Sequence, residues 1–317
     1  MGDAAEELRK LTKPAPSDED ILGILRDISI VHDDENDGVN PPHDNNVQII
    51  KELDSYDDAN YLVKLNGVKY LLKIHNGVES QSYMDEQSQK ANSGGNMMEV
   101  PYSSISLQDD MMRHLSKDVY GIKTSCPVST SKGRVFTHEL PVFSSEHSPC
   151  MLAVRLLKWI EGAPMSSRPC LAIEYVAQAG ELLGRVTSAF DEMMDELEKD
   201  PRSAFMLTEK SSLNRYHAWD VKNTDQIVQK FVHHIEDERI RTLVKDVIES
   251  FRKNIIPVQR DFRVGIIHND YNGKPNCHAN SYSLRSKFCL ENIDANILME
   301  DTGGVGGVID FGDSLSR

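Results

Sequence analysis

The chain has 317 residues, enough for two lobes that each bury a core or for one large domain, and a formal net charge of −15. Its 50 acidic residues are spread along the whole length rather than gathered in a tail, which argues against a nucleic-acid or anionic-membrane partner and leaves room for a small electropositive nucleotide pocket. Five isolated cysteines and the lack of any run near the ~18 apolar residues of a membrane span fit a reducing compartment, so the cytoplasm is the expected location.

In chain order, residues 1–18 form a polar, flexible lead-in in which Pro14-Ala15-Pro16 acts as a linker. Ser17-Asp18-Glu19-Asp20 is suited to a helix N-cap, and the helix it opens, about Glu19 to Asp27, buries Ile21, Leu22, Ile24, Leu25 and Ile28. Residues 33–46 are rich in Asn, Asp and Pro and read as a loop. Three strands follow, Val47–Leu53, Ala59–Leu65 and Val68–Ile74. Asn66-Gly67 between the last two tolerates positive φ, so they are expected to pair as a hairpin in an antiparallel sheet.

Residues 76–104 hold few apolar side chains and read as an exposed loop. A helix is expected over Ile105–Leu115, and strands over Arg134–Thr137 and Met151–Leu157. Gly162 and Pro164 stop the last strand, and the lobe boundary is placed there: 19–160 is the first lobe and 161–317 the second. Beyond it the apolar spacing becomes helical. Stripes such as Val176, Leu183, Val186 and Phe190, then Ile227, Val228 and Phe231, then Leu243, Val244, Val247 and Ile248, read as core. The expected fold class is α+β, with an N-terminal antiparallel sheet lobe and a mainly helical C-terminal lobe.

The chemistry gathers near the C-terminal end. His268-Asn269-Asp270, Asn296-Ile297-Leu298 and Val308-Ile309-Asp310-Phe311-Gly312-Asp313 match the residue set with which kinase-like folds position a hydroxyl and hold two Mg²⁺ ions. Asp270 is placed as the base on the acceptor hydroxyl, while the amide oxygen of Asn296 and the carboxylate of Asp310 offer the hard oxygen ligands that Mg²⁺ requires. The Gly-rich stretch 301–307 between the two metal residues reads as a hairpin turn, since no Lys-Ser or Lys-Thr follows it. Upstream, Leu71-Leu72-Lys73-Ile74 is similar to the kinase strand whose lysine holds the α- and β-phosphates. The turn Asp54–Asn60 then lies over the phosphates, with Ser55, Tyr56 and backbone N–H groups as donors.

Together, the segment 52–61 (Glu-Leu-Asp-Ser-Tyr-Asp-Asp-Ala-Asn-Tyr), the Lys73 strand, His268-Asn269-Asp270 and the strand 307–313 resemble the aminoglycoside phosphotransferase and choline kinase superfamily, a bilobal protein-kinase-like fold. Within it the Ser-Tyr-Asp-Asp turn looks most like the hydroxylysine kinase family, over most of residues 20–313. The resemblance implies transfer of a phosphoryl group from GTP to the side-chain hydroxyl of 5-hydroxy-L-lysine in the cytoplasm. It also implies a hinge at 157–161 that presents backbone groups, including that of Glu161, to the purine, with Trp159 at its flank.

Three departures accompany it. Asp270 and Asn296 stand 26 positions apart where about five is usual, so residues 273–293 look like a 21-residue insertion. The chain stops four residues after Asp313, where family members continue with further helices. Where the family has a helix Glu facing the strand lysine, this chain offers Ser106, with Glu99, Asp109 or Asp110 as substitutes. The alternatives to a GTP-dependent hydroxylysine kinase are therefore an ATP-dependent enzyme, a kinase for another amino alcohol or an aminoglycoside, and a catalytically impaired nucleotide-binding homologue.

Overall fold

The computed structural model describes residues 2–31, 46–92, 102–144, 149–167, 172–199, 223–263, 265–268, 296–300, 303–310 and 315–316. Its N-terminal half is built on a five-stranded antiparallel sheet of order β1-β2-β3-β5-β4, with β1 Val47–Leu53, β2 Ala59–Leu65, β3 Val68–Ile74, β4 Val135–Leu140 and β5 Cys150–Lys158. The β2–β3 hairpin turns where Asn66-Gly67 demands it, with φ of 52° and 86° at the two residues. That register places Asn60 opposite Lys73, and the β3–β5 pairing places Lys73 opposite Arg155.

The period-two alternation of the strands gives the sheet two faces with different partners. On one, Leu72, Ile74, Val154 and Leu156 pack under α2 (Asp18–Arg26), which buries Ile21, Ile24, Leu25 and the adjoining Ile28 completely. Ser17 caps α2 in a full capping box with Asp20, satisfying two orphan N–H groups at its start. On the other face, Leu71 and Leu157 join a second core with α4 (Ser104–Leu115) and α5 (Ile173–Lys199), to which Met111, Leu115, Val186, Ala189 and Phe190 contribute fully buried side chains. Lys73 and Arg155 leave the sheet on this second face, so the fold carries two cations into the junction of its halves.

Three segments depart from the sequence expectation. Residues 2–11 form a helix, α1, pinned to the rest by the Arg9–Glu79 ion pair at 2.6 Å. Gly77–Asn92, read as loop, is the 16-residue helix α3. It has almost no apolar stripe because what it buries is polar: Ser80 donates to the carbonyl of His75, and Glu86 accepts from the backbone N–H of Ser103 and the hydroxyl of Ser106. The helices α6 (Thr224–Phe231) and α7 (Glu238–Asn254) form as their spacing predicts, but neither stripe is core: α6 buries no residue and Phe231 is exposed, while in α7 Leu243 and Val247 are exposed and Ile248 alone is buried. Amphipathic spacing marks a face with apolar affinity and does not itself supply a partner for it.

Two short sheets complete the described residues. β6 (Ala163–Pro164), β8 (Ile297–Met299) and β9 (Val305–Val308) form one; β7 (Ile266–Ile267) and β10 (Leu315–Ser316) form the other. Gly162, at φ 147°, lets the chain leaving β5 pass so close to β8 that a Cβ there would lie 2.8 Å from the carbonyl oxygen of Met299. The segment after β5 is thereby fixed to the β8–β9 hairpin.

Candidate active site

Four parts of the sequence signature lie among the described residues. The hairpin β8–β9 forms as read from its Gly-rich turn, with Ile297 opposite Val308, which sets Asn296 beside Ile309, the neighbour of Asp310. The N–H of Ile309 donates to the carbonyl of Asn296 at 2.9 Å, so Asn296 is bonded to the residue that precedes Asp310. Asp310 sits at φ 58°, a left-handed conformation uncommon outside Gly, Asn and Asp, which breaks the strand and leaves its side chain exposed while Asn296 is buried. An outlier of this kind costs free energy and collects at functional sites.

His268 is buried at the end of β7, and its Nε2 meets the carbonyl oxygen of Ile309 at 2.9 Å. This contact ties the strand that leads toward Asp270 to the strand that ends in Asp310. Asp270 itself, with residues 273–293, lies outside the described residues.

Lys73 is buried on β3, and its ammonium meets Oδ2 of Asp58 at 2.8 Å with both side chains about 10% exposed. None of the expected helix positions supplies the acid. Ser106 donates to Glu86 at 2.7 Å, Asp109 pairs with Arg134 at 3.1 Å, Asp110 accepts from the hydroxyl of Tyr102, and Glu99 lies outside the described residues. The partner is instead the last Asp of the Ser-Tyr-Asp-Asp turn, brought up by the β2–β3 register. Asp58 also accepts from the backbone N–H of Asn76 at 2.9 Å and from its Nδ2 at 3.2 Å, and lies 3.4 Å from Nδ1 of His75.

The electrostatics follow from burial and pairing. Burial alone would raise the Asp58 carboxyl, but the Lys73 ammonium and His75 override it and hold the carboxyl well below its usual value. Burial alone would lower Lys73, but Asp58, and after it Asp310, raise the ammonium. The Asp310 carboxylate therefore lies within electrostatic reach of the strand lysine. Asp57 goes the other way: burial, and then the neighbouring Asp58 charge, push it up to about 6.

The remaining sequence candidates are placed less centrally. Ser55 and Tyr56 lie in the β1–β2 turn, where their backbone carbonyls accept from Nζ of Lys13 at 2.6 and 3.3 Å, and the Tyr56 side chain is largely exposed. Trp159 follows β5 half-buried. Glu161 is exposed and pairs with Lys69 at 2.7 Å, whose hydrogen bond lowers its carboxyl, so its side chain faces the sheet edge rather than the Lys73 cluster. Sequence reasoning passed over Asp58, His75 and Arg155. The doubled Asp of the turn was visible as a motif, but its pairing with Lys73 depends on strand register.

No family model matches the chain. It is 22% identical over 270 residues to hydroxylysine kinase of Danio rerio and 22% identical over 275 residues to that of Mus musculus, in each case over 84% of this chain and 60% of the relative. The chain thus spans about 60% of the length of the curated relatives it matches. Among solved structures it is similar to a thermostable mutant of aminoglycoside phosphotransferase APH(4)-Ia in its apo form, at TM-score 0.43 and 11% identity over 85% of this chain and 69% of that one. A ternary complex of that enzyme with ADP and hygromycin B gives 0.42 and 11% over 85% and 68%. Aminoglycoside phosphotransferase APH(3'')-Id from Streptomyces rimosus gives 0.37 and 14% over 84% and 72%. The similarity to hydroxylysine kinases extends over most of the chain and bears out the resemblance read from its motifs.

Proposed function

We propose that this chain, similar over most of its length to hydroxylysine kinases, is a phosphotransferase that moves the γ-phosphoryl group of a purine nucleotide, GTP in the first instance, to the hydroxyl of a small amino alcohol, 5-hydroxy-L-lysine above others. The observation that carries the reading is the buried Lys73–Asp58 pair at 2.8 Å, with the Asp310 carboxylate within electrostatic reach of its ammonium. Such a site pairs a phosphate-binding cation with a metal-type carboxylate, the two elements that phosphoryl transfer needs in addition to a positioned acceptor.

In this reading Lys73 engages the α- and β-phosphates while Asp58 fixes its side chain, and the 54–60 turn with Ser55 and Tyr56 covers the phosphate chain. The hinge at 157–161, with Trp159 and the Glu161 backbone, receives the purine. Asn296 and Asp310 suit a hard divalent cation, since they bring an amide oxygen and a carboxylate to neighbouring positions of one hydrogen-bonded hairpin. When bound there, Mg²⁺ supplies neutralisation of the nucleotide's phosphate charge. Asp270 accepts the proton of the acceptor hydroxyl, and His268 fixes the start of its loop against the Asp310 strand.

The test is nucleotide-diphosphate release from GTP and from ATP with 5-hydroxylysine, choline, ethanolamine and an aminoglycoside as acceptors, beside Asp270→Asn and Asp310→Asn. Acceptor-dependent release that both variants abolish supports the enzyme. A nucleotide-dependent rise in Tm without release, unchanged by removing residues 273–293, supports the nucleotide-binding homologue instead. Neither signal with either nucleotide refutes both.

A further inference from the structure

Lys73 has a second cation beside it. Arg155 of β5 stands opposite Lys73 in the antiparallel register, so both side chains leave the same face of the sheet, and Arg155 is 2% exposed. A guanidinium is almost never buried to this extent unless its charge and donors are met. Here Nη2 donates to Oε1 of Gln108 on α4, a neutral group, while Nε and Nη1 have no hydrogen-bond partner among the described residues.

The acids that act on Arg155 are Asp109, Asp58, Asp310 and Glu79. Three of them have a closer cation of their own: Asp109 pairs with Arg134 at 3.1 Å, Asp58 with Lys73 at 2.8 Å and Glu79 with Arg9 at 2.6 Å. The fourth, Asp310, is the carboxylate assigned above to the metal. Lys73 is therefore paired directly with Asp58, while among the described residues Arg155 has no carboxylate in ion-pair contact and stands beside Lys73 on the same sheet face. A charge buried in a low-dielectric interior acts over several ångströms with little screening, so it need not touch a ligand to select it.

We infer that Arg155 is a positioning residue for the nucleotide's phosphate chain: beside Lys73 on the same sheet face, it adds the positive field that selects a di- or triphosphate over the bare nucleoside, and Gln108 holds it there from α4. The inference rests on the phosphotransferase reading and deepens it. It also accounts for a neutral hydrogen-bond partner at Nη2, since a carboxylate in the place of Gln108 would weaken that field further.

The experiment compares dissociation constants of guanosine with GDP, and of adenosine with ADP, on the full chain and on Arg155→Met, Arg155→Lys and Lys73→Met. The readout is the ratio of the nucleoside dissociation constant to that of the diphosphate, which a purely structural strut would not move. Arg155→Met is expected to shrink that ratio by about 10- to 100-fold with the nucleoside constant unchanged, and Arg155→Lys to keep most of it. A ratio within about twofold of the parent in Arg155→Met, or an equal loss in Arg155→Lys, overturns the inference and leaves the phosphotransferase reading intact if Lys73→Met still loses the ratio. A parent chain that binds neither diphosphate overturns the reading and the inference with it. If Arg155→Met does not fold, Arg155→Gln replaces it. If neither folds while Arg155→Lys does, Arg155 is a structural cation and the inference fails.

Discussion

The Lys73–Asp58 pair is the contact on which the site's architecture depends most directly, and a double-mutant cycle measures it. Both side chains are about 10% exposed at 2.8 Å. Asp58→Asn keeps the shape and the Asn76 contacts but leaves a buried ammonium without its counter-charge, which costs about 3–5 kcal/mol. Lys73→Met leaves a buried carboxylate that still accepts two hydrogen bonds from Asn76 and faces His75, so its cost is expected at the lower end, about 3 kcal/mol. The double variant has no orphaned charge and is expected to lose at least ~2 kcal/mol less than the sum of the single losses. Against a total stability of about 5–15 kcal/mol these are large effects. Urea unfolding at pH 7.5, followed by far-ultraviolet circular dichroism, gives all four corners. Additivity within about 0.5 kcal/mol would refute the claim that the two groups are a buried, mutually dependent pair.

Other outcomes follow from the same cluster. Burial pushes His75 down to about 4, so the unfolded chain binds a proton that the folded one does not. Stability is present above pH ~6.5 and is lost as pH falls toward 4, by about 3 kcal/mol, and His75→Gln should flatten that part of the pH–stability curve in chemical unfolding. Asp57, pushed up to about 6, has the opposite sign: its contribution is present below pH ~4 and lost as pH rises through 6. Asp57→Asn is therefore expected to stabilise at pH 7.5 by about 1–2 kcal/mol, discounted for its half-buried side chain, and to do little at pH 4, read as Tm at the two values. Gly307→Ala would put a Cβ 2.8 Å from the carbonyl oxygen of Lys123, which accepts the N–H of Val308 at 3.1 Å, and should cost about 1–3 kcal/mol in urea unfolding.

Much of the fold was legible wherever local chemistry and tertiary packing agree. The Asn66-Gly67 hairpin, the capped helix α2 and the β8–β9 hairpin formed where the spacing placed them, because turn residues and apolar alternation specify those elements over a few positions. Helix α3 escaped because its buried side chains, Ser80 and Glu86, are polar and leave no apolar stripe, and part of what satisfies them, such as the N–H groups of Ala153 and Ser103, lies outside the helix. The α7 stripe misled for the converse reason: its apolar residues were plain in the sequence, but a covering partner is a tertiary matter.

The candidate site divides in the same way. The sequence alone determined which residue types are present and in what short arrangements: a strand lysine, a Ser-Tyr-Asp-Asp turn, a His-Asn-Asp run, and an Asn and Asp-Phe-Gly on a hairpin. These name a reaction class because phosphoryl transfer requires such groups. Only the tertiary structure decided which charges meet. Register across β2 and β3 gives Lys73 to Asp58 instead of to helix α4, and register across β3 and β5 sets Arg155 beside Lys73, where Gln108 of α4 hydrogen-bonds it. Coulomb energy depends on distance and burial, and neither quantity is written in the order of residues along the chain.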